Sequence, residues 1–380
     1  MEIASKTKKN RILFPICLHM WEFFCTFAGI NRYNSMKQIP LRYDFPLFTT
    51  DSSIRKLISS DKLRLTDSWS LFQYVVLKCS KNSKEQKFML TLLEQAKYFY
   101  SVADAAPLKS KPLLYYYSFL NLAKLFINLR AYRGSSVEYN HGIEAGTAAN
   151  FANAKLKVKG MEGSATISIN RLFAEELGYN YPGYPFFYNV IDYLKTCVGI
   201  HKVYCETYKQ QEMFYRVDNF KLYIHSNKLI STAVIKDIPA VVVPQLAAKG
   251  YGIDTSVNPY QWREEVTKHP KHICDQNYVD LSKLLRSRGL WYLTTGEEYR
   301  TYISAADQPF PPELVIYNIM FYFGSITRYH PYQFDELLTA KEQWMVEVFM
   351  QTQPQQFIYG LLSRLLGRYV LADKTANLMV

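Results

Sequence analysis

Between Pro112 and Arg130 the apolar positions run almost all the way round the cylinder a helix would make, and neither Gly nor a second Pro interrupts them. Pro112 suits a first helical turn, where its missing N–H leaves no bond unmade. Arg130 and then Gly134 supply a basic last turn and a stop. A helix that is apolar on most sides is buried on most sides. The exceptions, Ser118, Asn121, Lys124 and Asn128, share one sector at ~100° per residue. Polar groups in such a helix need partners. Two arrangements supply them: a hydrogen-bonded seam between helices, or a polar pocket wall on which Lys124 faces an anion.

The same periodicity extends upstream. Met89, Leu92, Leu93, Ala96, Phe99 and Tyr100 keep helical spacing, which predicts a helix from Lys84 to Ala103. A short loop containing Pro107 makes it the antiparallel partner of the first helix. At the start of the chain, Lys6, Lys8, Lys9 and Arg11 precede an apolar run that His19 and Glu22 interrupt. That reads as a basic tail leading into a helix near Pro15, not as a signal peptide or a membrane span.

After Gly134 the period changes. Lys155–Lys159 and Ala165–Ile169, around Gly160 and Gly163, predict a β-hairpin with Leu156, Val158, Ile167 and Ile169 on one face and Lys155, Lys157 and Lys159 on the other. Leu172–Leu177 reads as a short helix. Residues 203–243 read mostly as strand, with a turn at Ser226–Lys228 and a short buried strand at Ala240–Val243. Asp280 caps a helix over Leu281–Arg288, and Trp291–Thr294 reads as a strand. Pro311 and Pro312 open an apolar helix to about Arg328, which Pro331 ends; two more helices follow, near Phe334–Thr352 and Pro354–Ala372. The predicted class is α+β: helical N- and C-terminal parts packed together, with a β-rich middle. The expected divisions are a basic tail (1–18), an N-terminal helical region (19–133), a β-rich region (134–295) and a C-terminal helical region (296–380).

Three stretches carry a family resemblance. The run Pro112–Lys124, with His141-Gly142-Ile143 and Arg328-Tyr329-His330-Pro331, resembles the YaaC-like proteins of bacteria, from near Trp21 to the C-terminal region. The resemblance implies a bacterial protein and no particular reaction.

Charge adds a partner class. The 45 Lys and Arg outnumber 33 Asp and Glu, a net charge of +12, and aromatics make up 16% of the chain. A basic excess favours polyanions, nucleic acid above all, and the aromatic weight suits stacking surfaces and interfaces. Lys78, Lys81, Lys84 and Lys87, at three-residue spacing, make either a solvated helix start or a phosphate-contacting face. The six cysteines include no C-x-x-C pair and read as reduced thiols of a cytoplasmic protein.

The candidate chemistry centres on Arg328 and His330, at the end of a buried helix. They read either as a helix cap or as a phosphate-binding pair in which His330 moves protons, joined by His141 and with Asn121 and Lys124 lining the site. An Arg and a His on one helix resemble the helical HEPN ribonucleases, where about a turn separates the two; here one residue does. Lys155, Lys157 and Lys159 read as a solvated edge or as an anion-binding ladder. No metal or other cofactor is expected, because His269, His272 and Cys274 lack a second ligand cluster. Asp218, Glu206 and Glu212, with Lys209 and Lys221, lack the acid–x–Lys spacing of a metal nuclease. No P-loop, dinucleotide fingerprint, nucleophile elbow or H-E-x-x-H is present. Binding of nucleic acid or another polyanion, as part of a larger assembly, is the favoured expectation. The alternatives are a metal-independent ribonuclease or phosphodiesterase of stress or phage defence using Arg328 and His330, and a scaffold for a protein partner or a second copy. Whether the chain is an enzyme at all does not follow from the sequence.

Overall fold

The computed structural model describes residues 37–38, 62–134, 136–146, 150–160, 166–225, 228–257, 259–267, 288, 290–294, 299–305 and 310–373. The chain divides into two compact units, residues 1–37 and 38–380, and every element below belongs to the second. The helix expected near Pro15 lies outside the described residues. So does the helix expected at Leu281–Arg288, of which only Arg288 is described.

From residue 62 the N-terminal part forms β1 (Lys62–Leu65), α1 (Ser68–Cys79), α2 (Ser83–Ala105) and α3 (Lys111–Arg130). Asp67 caps α1 by accepting from Trp69 N at 2.9 Å, and Asn82 caps α2 by accepting from Glu85 N at 2.9 Å. α2 and α3 run antiparallel: Ser118 Oγ donates to the Ala96 carbonyl at 2.8 Å, and the Tyr115 hydroxyl bonds Asp104 nearer the loop. α3 is buried round most of its circumference, as its apolar residues require.

The middle holds β2 (Glu138–Asn140), β3 (Ile143–Ala145), β4 (Lys155–Val158), β5 (Thr166–Ser168), α4 (Ile169–Glu176), β6 (Phe186–Asn189), α5 (Val190–Thr196) and α6 (His201–Tyr208). It continues through β7 (Phe214–His225), β8 (Lys228–Ile235), α7 (Val243–Ala248), β9 (Ile253–Asp254), β10 (Gln261–Thr267), β11 (Leu290–Thr294) and β12 (Tyr299–Ser304). One antiparallel sheet runs β9-β10-β8-β7-β12-β11, with an irregularity between Asp218 and Lys221 where Asn219 turns left-handed. A smaller antiparallel sheet runs β3-β4-β6.

The C-terminal part is α8 (Pro312–Tyr329), α9 (Pro331–Thr339), α10 (Gln343–Leu366) and β13 (Tyr369–Ala372). It folds back onto the first helices. The Phe119 and Phe357 rings stack between α3 and α10 with centroids 4.0 Å apart, and Tyr116 of α3 meets Phe321 of α8 edge-on at 5.2 Å. β13 closes the unit by pairing in parallel with β1, Tyr369 opposite Lys62 and Ala372 opposite Leu65. The fold is α+β, with its helical ends packed together.

Five local expectations are corrected. Lys155–Lys159 and Ala165–Ile169 do not form a hairpin: β4 pairs antiparallel with β3 and β6, while β5 pairs in parallel with β2. Burial of Leu156 and Val158 decides the pairing of β4, and turn residues alone do not carry that information. Residues 201–208 are helical, and Ala240–Val242 is a 3-10 turn running into α7 at Val243, with Pro244 in its first turn. So short an apolar run does not distinguish strand from helix by period. Pro354 lies inside α10, where it is buried, and the helix break falls instead at Ala340–Glu342. Residues 369–372 are strand, after a left-handed Gly367 ends α10.

His201 sets a pH dependence of this fold. Its ring is 2% exposed, with Nδ1–H donating to the Lys195 carbonyl at 2.7 Å and Nε2 accepting from Met213 N at 3.0 Å. Burial, above all, pushes its pKa down to about 4, with Lys195 and Lys202 adding positive charge nearby. The unfolded chain protonates near the ordinary histidine value while the folded ring resists, so stability is full above about pH 6.5 and falls as pH drops toward 4. The loss amounts to about 3 kcal/mol. Thermal melts between pH 7 and pH 4.5 should show this decline, and His201→Gln should flatten it.

Candidate functional site

α3 and α8 cross where Gly324 stands: a Cβ there would lie 3.1 Å from Tyr116 Cβ and 3.3 Å from the Pro112 carbonyl oxygen. Beside this crossing lies a cavity of about 600 Å³. Three parts of the chain line it. α3 contributes Tyr116 and Tyr117, the end of α8 contributes Phe321, Arg328, Tyr329 and then His330, and the β3-β4-β6 sheet contributes Glu144, Lys155, Lys157 and Phe187. His141 completes it from the turn between β2 and β3.

Each position has a local cause. His330 precedes Pro331, and the residue before a proline is pushed out of helical geometry. It sits at φ −139°, ψ 57°, with its N–H closing α8 on the Ile326 carbonyl at 2.8 Å. Arg328, in the last turn of α8, donates from Nη1 to the Tyr117 hydroxyl at 2.7 Å, and its guanidinium lies 5.0 Å from the Tyr329 ring. His141 is held by Gly142, whose φ of +70° makes a left-handed turn against Ser168. The His141 carbonyl accepts from Asn170 N at 3.2 Å, its Nδ1 is bonded to the Tyr116 hydroxyl, and its ring packs 6.2 Å from Phe321.

The electrostatics favour an anion. Lys155 and Lys157 project from one face of β4, whose other face puts Leu156 and Val158 in the core. Lys157 lies 3.6 Å from Glu144, which also bonds Lys159; Lys159 first, and Lys157 after it, hold the Glu144 carboxyl below the usual carboxylate range. Among the described residues no carboxylate pairs with Lys155 or Arg328. The lining therefore carries three cations against one carboxylate. His141 is open to solvent along one edge and packed against rings on the other. That partial burial, and then Lys124 and Arg328, push its pKa below the ordinary histidine value, so it is a neutral imidazole at neutral pH.

Of the residues singled out in the sequence, the fold brings His141, Lys155, Lys157, Arg328 and His330 to this cavity. Asn121, Lys124 and Lys159 are not in its lining. Asn121 is buried on α3, and Lys124 sits 5.6 Å over the Tyr139 ring, its pKa lowered by burial. Ser118 and Asn128 behave as a seam: Ser118 bonds α2, and Asn128 donates to the Lys124 carbonyl at 2.8 Å and the Tyr139 hydroxyl at 3.1 Å. Lys78, Lys81, Lys84 and Lys87 are exposed on α1, α2 and the link between them. Glu144, Tyr116, Tyr117, Phe187 and Tyr329 also line the site; in the sequence Tyr116, Tyr117 and Tyr329 stand out only as parts of the family runs, and Glu144 and Phe187 not at all. The alternation that turns Phe187 outward is legible only once β6 is known to be a strand.

Among the described residues no second candidate centre assembles. Asp218 pairs with Arg216 and Lys236, Glu206 with Lys209 and Glu212 with Lys202, each as a separate ion pair. Among the described residues no three His, Cys, Asp or Glu side chains gather as metal ligands, and His269, His272 and Cys274 lie outside them. Cys205 Sγ lies 3.3 Å from His201 Nε2, but burial pushes the thiol up to about 11 and the imidazole down to about 4. A nucleophilic thiolate needs the reverse. No helix among the described residues is long and apolar enough to cross a membrane.

The His141 turn makes a direct prediction. A Cβ at residue 142 would fall 1.7 Å from Ser168 Oγ, in a left-handed conformation that alone costs a non-glycine residue about 1–2 kcal/mol. Gly142→Ala should lower the unfolding free energy by at least that much, read as a lower denaturant midpoint. Gly183→Ala, where a Cβ meets nothing within 4 Å, should shift stability by less than about 0.5 kcal/mol.

No match was found among curated proteins or among solved structures. One family model does match, over residues 55–365, a span that takes in the α3 run, the His141 turn, the lysine strand and the Arg328–His330 helix end. The chain therefore belongs to the YaaC-like protein family.

Proposed function

We propose that this chain binds nucleic acid, holding phosphates in the cavity with Lys155, Lys157 and Arg328. One observation carries the reading: cations from β4 and from the end of α8 share a cavity with Phe187 and Tyr329, whose rings are largely exposed. Phosphates are recognised by such cations, and bases by such rings. The cavity volume lies in the range of ligand sites, and a net charge of +12 favours the approach of a polyanion from a distance. Fluorescence polarisation with a labelled oligonucleotide tests this. Three phosphate contacts on a single strand predict a slope of log K against log salt of about −2. Lys155→Ala with Arg328→Ala should flatten that slope by about 1 to 1.5 without moving the melting temperature. Absence of binding at low salt, or affinity indifferent to both substitutions, would remove the proposal.

A second reading, metal-independent cleavage of the bound strand, is favoured by two histidines sharing the cavity with an arginine, one of them held neutral. A neutral imidazole accepts a proton from an attacking hydroxyl, and a guanidinium stabilises the charge that gathers on the phosphate. RNA incubated with the protein and a chelator should then be cut, and His330→Ala should abolish cutting while leaving the melting temperature nearly unchanged. Cutting that survives in both His330→Ala and His141→Ala would sink this reading.

A further inference from the structure

We infer that the cavity takes single-stranded nucleic acid in preference to duplex, with one unstacked base lying on Phe187, an inference that rests on the nucleic-acid reading above. The starting point is a large apolar ring that cannot retreat. Phe187 is 58% exposed at the centre of β6. Its neighbours Phe186 and Tyr188 point the other way, into a cluster with Phe310 at 6.5 and 4.9 Å, and Tyr188 also lies 4.1 Å from Tyr193. Strand alternation fixes the consequence: with both neighbours anchored inward, Phe187 must face out.

What surrounds the ring is charged. Phe187 stands directly opposite Lys157, which stands opposite Glu144, so the three form one row across the sheet. Lys155, two residues along β4 from Lys157, lies about 6.7 Å away on the same face. That separation is comparable with the distance between neighbouring phosphates in an extended strand. Near the end of α8, Tyr329 is 64% exposed, with the Arg328 guanidinium beside it. The lining thus offers flat π-faces between cations, the combination that holds a strand by alternate stacking and phosphate contact.

Duplex geometry does not fit this arrangement. In a double helix each base face is covered by the next pair, so no face is free for Phe187. Proteins that read a duplex insert a projecting helix or ribbon into a groove. Here the aromatic and basic groups line a concavity of about 600 Å³, which admits a nucleotide-sized group and not a double helix.

The experiment compares one labelled oligonucleotide of mixed sequence, alone and annealed to its complement, on the full chain at low salt. The single strand should bind at least about tenfold more tightly. Phe187→Ala should weaken single-strand binding about 5- to 100-fold and leave duplex binding unchanged, whereas Phe187→Trp should retain it. Because the ring is exposed, these variants should melt with the wild type. Equal affinity for strand and duplex, or a Phe187→Ala variant that binds the strand normally, would overturn the inference while leaving nucleic-acid binding intact. AMP binding as tightly as the oligonucleotide would also overturn it, in favour of a free nucleotide. Binding of neither oligonucleotide would overturn both readings together.

Discussion

Two helices from opposite ends of the sequence meet at a point where a methyl group would fit only if its neighbours gave way by a few tenths of an ångström. At Gly324 the backbone of α8 comes against Tyr116 Cβ and the Pro112 carbonyl of α3, which sets how closely the N- and C-terminal halves approach. Much else follows from that contact. Tyr116 is brought to its hydrogen bond with His141, and Phe321 packs against both rings. Tyr117 is brought within 2.7 Å of Arg328. The cavity is the space left beside a crossing too tight to close over it.

Polar groups buried deeper along α8 fix its rotation. Asn318 accepts from Asn170 of α4 at 2.5 Å and donates to the Tyr193 hydroxyl of α5 at 3.0 Å; Tyr181 donates to Asn170 at 2.9 Å. One end is held by Arg364 of α10, which donates to Glu313 at 2.8 Å and reaches the Leu177 carbonyl at 3.4 Å. A buried ion pair and a buried amide network add little net stability over an apolar core. Their partners exist only in one rotation of the helix, however, so any other strands several groups without water. That rotation points Arg328 and Tyr329 at the sheet.

The sequence made the helical ends legible because burial on most sides leaves a clear mark: α3 and α8 are apolar round most of their circumference, and each has a proline in its first turn. It was also legible that the lysines of β4 share a face, since that depends on period alone. Partner choice was not legible. Nothing near Lys155 says that β4 pairs with residues 143–145 and 186–189, because those contacts are decided by which faces the core covers. Pro354 misled for the same reason: its local preference is to break a helix, and the packing of α10 overrides it. The site was half visible. His141, Arg328 and His330 stand out as unusual residues at turns and helix ends, whereas Phe187 is an ordinary aromatic until the inward anchoring of its neighbours is known.

The parallel pairing of β1 with β13 has a consequence for biosynthesis. A ribosome delivers the chain from its N-terminus, so β1 and the α2–α3 hairpin emerge long before the segments that cover them. Until α4 has emerged and laid Phe173 against Phe126, the apolar circumference of α3 has only α2 for cover, and its faces toward α8 and α10 wait for the end of the chain. Closure by contacts so distant along the chain is slow, and a naked apolar rod is what trigger-type holdases grip. Production of this protein should therefore lean on nascent-chain chaperoning.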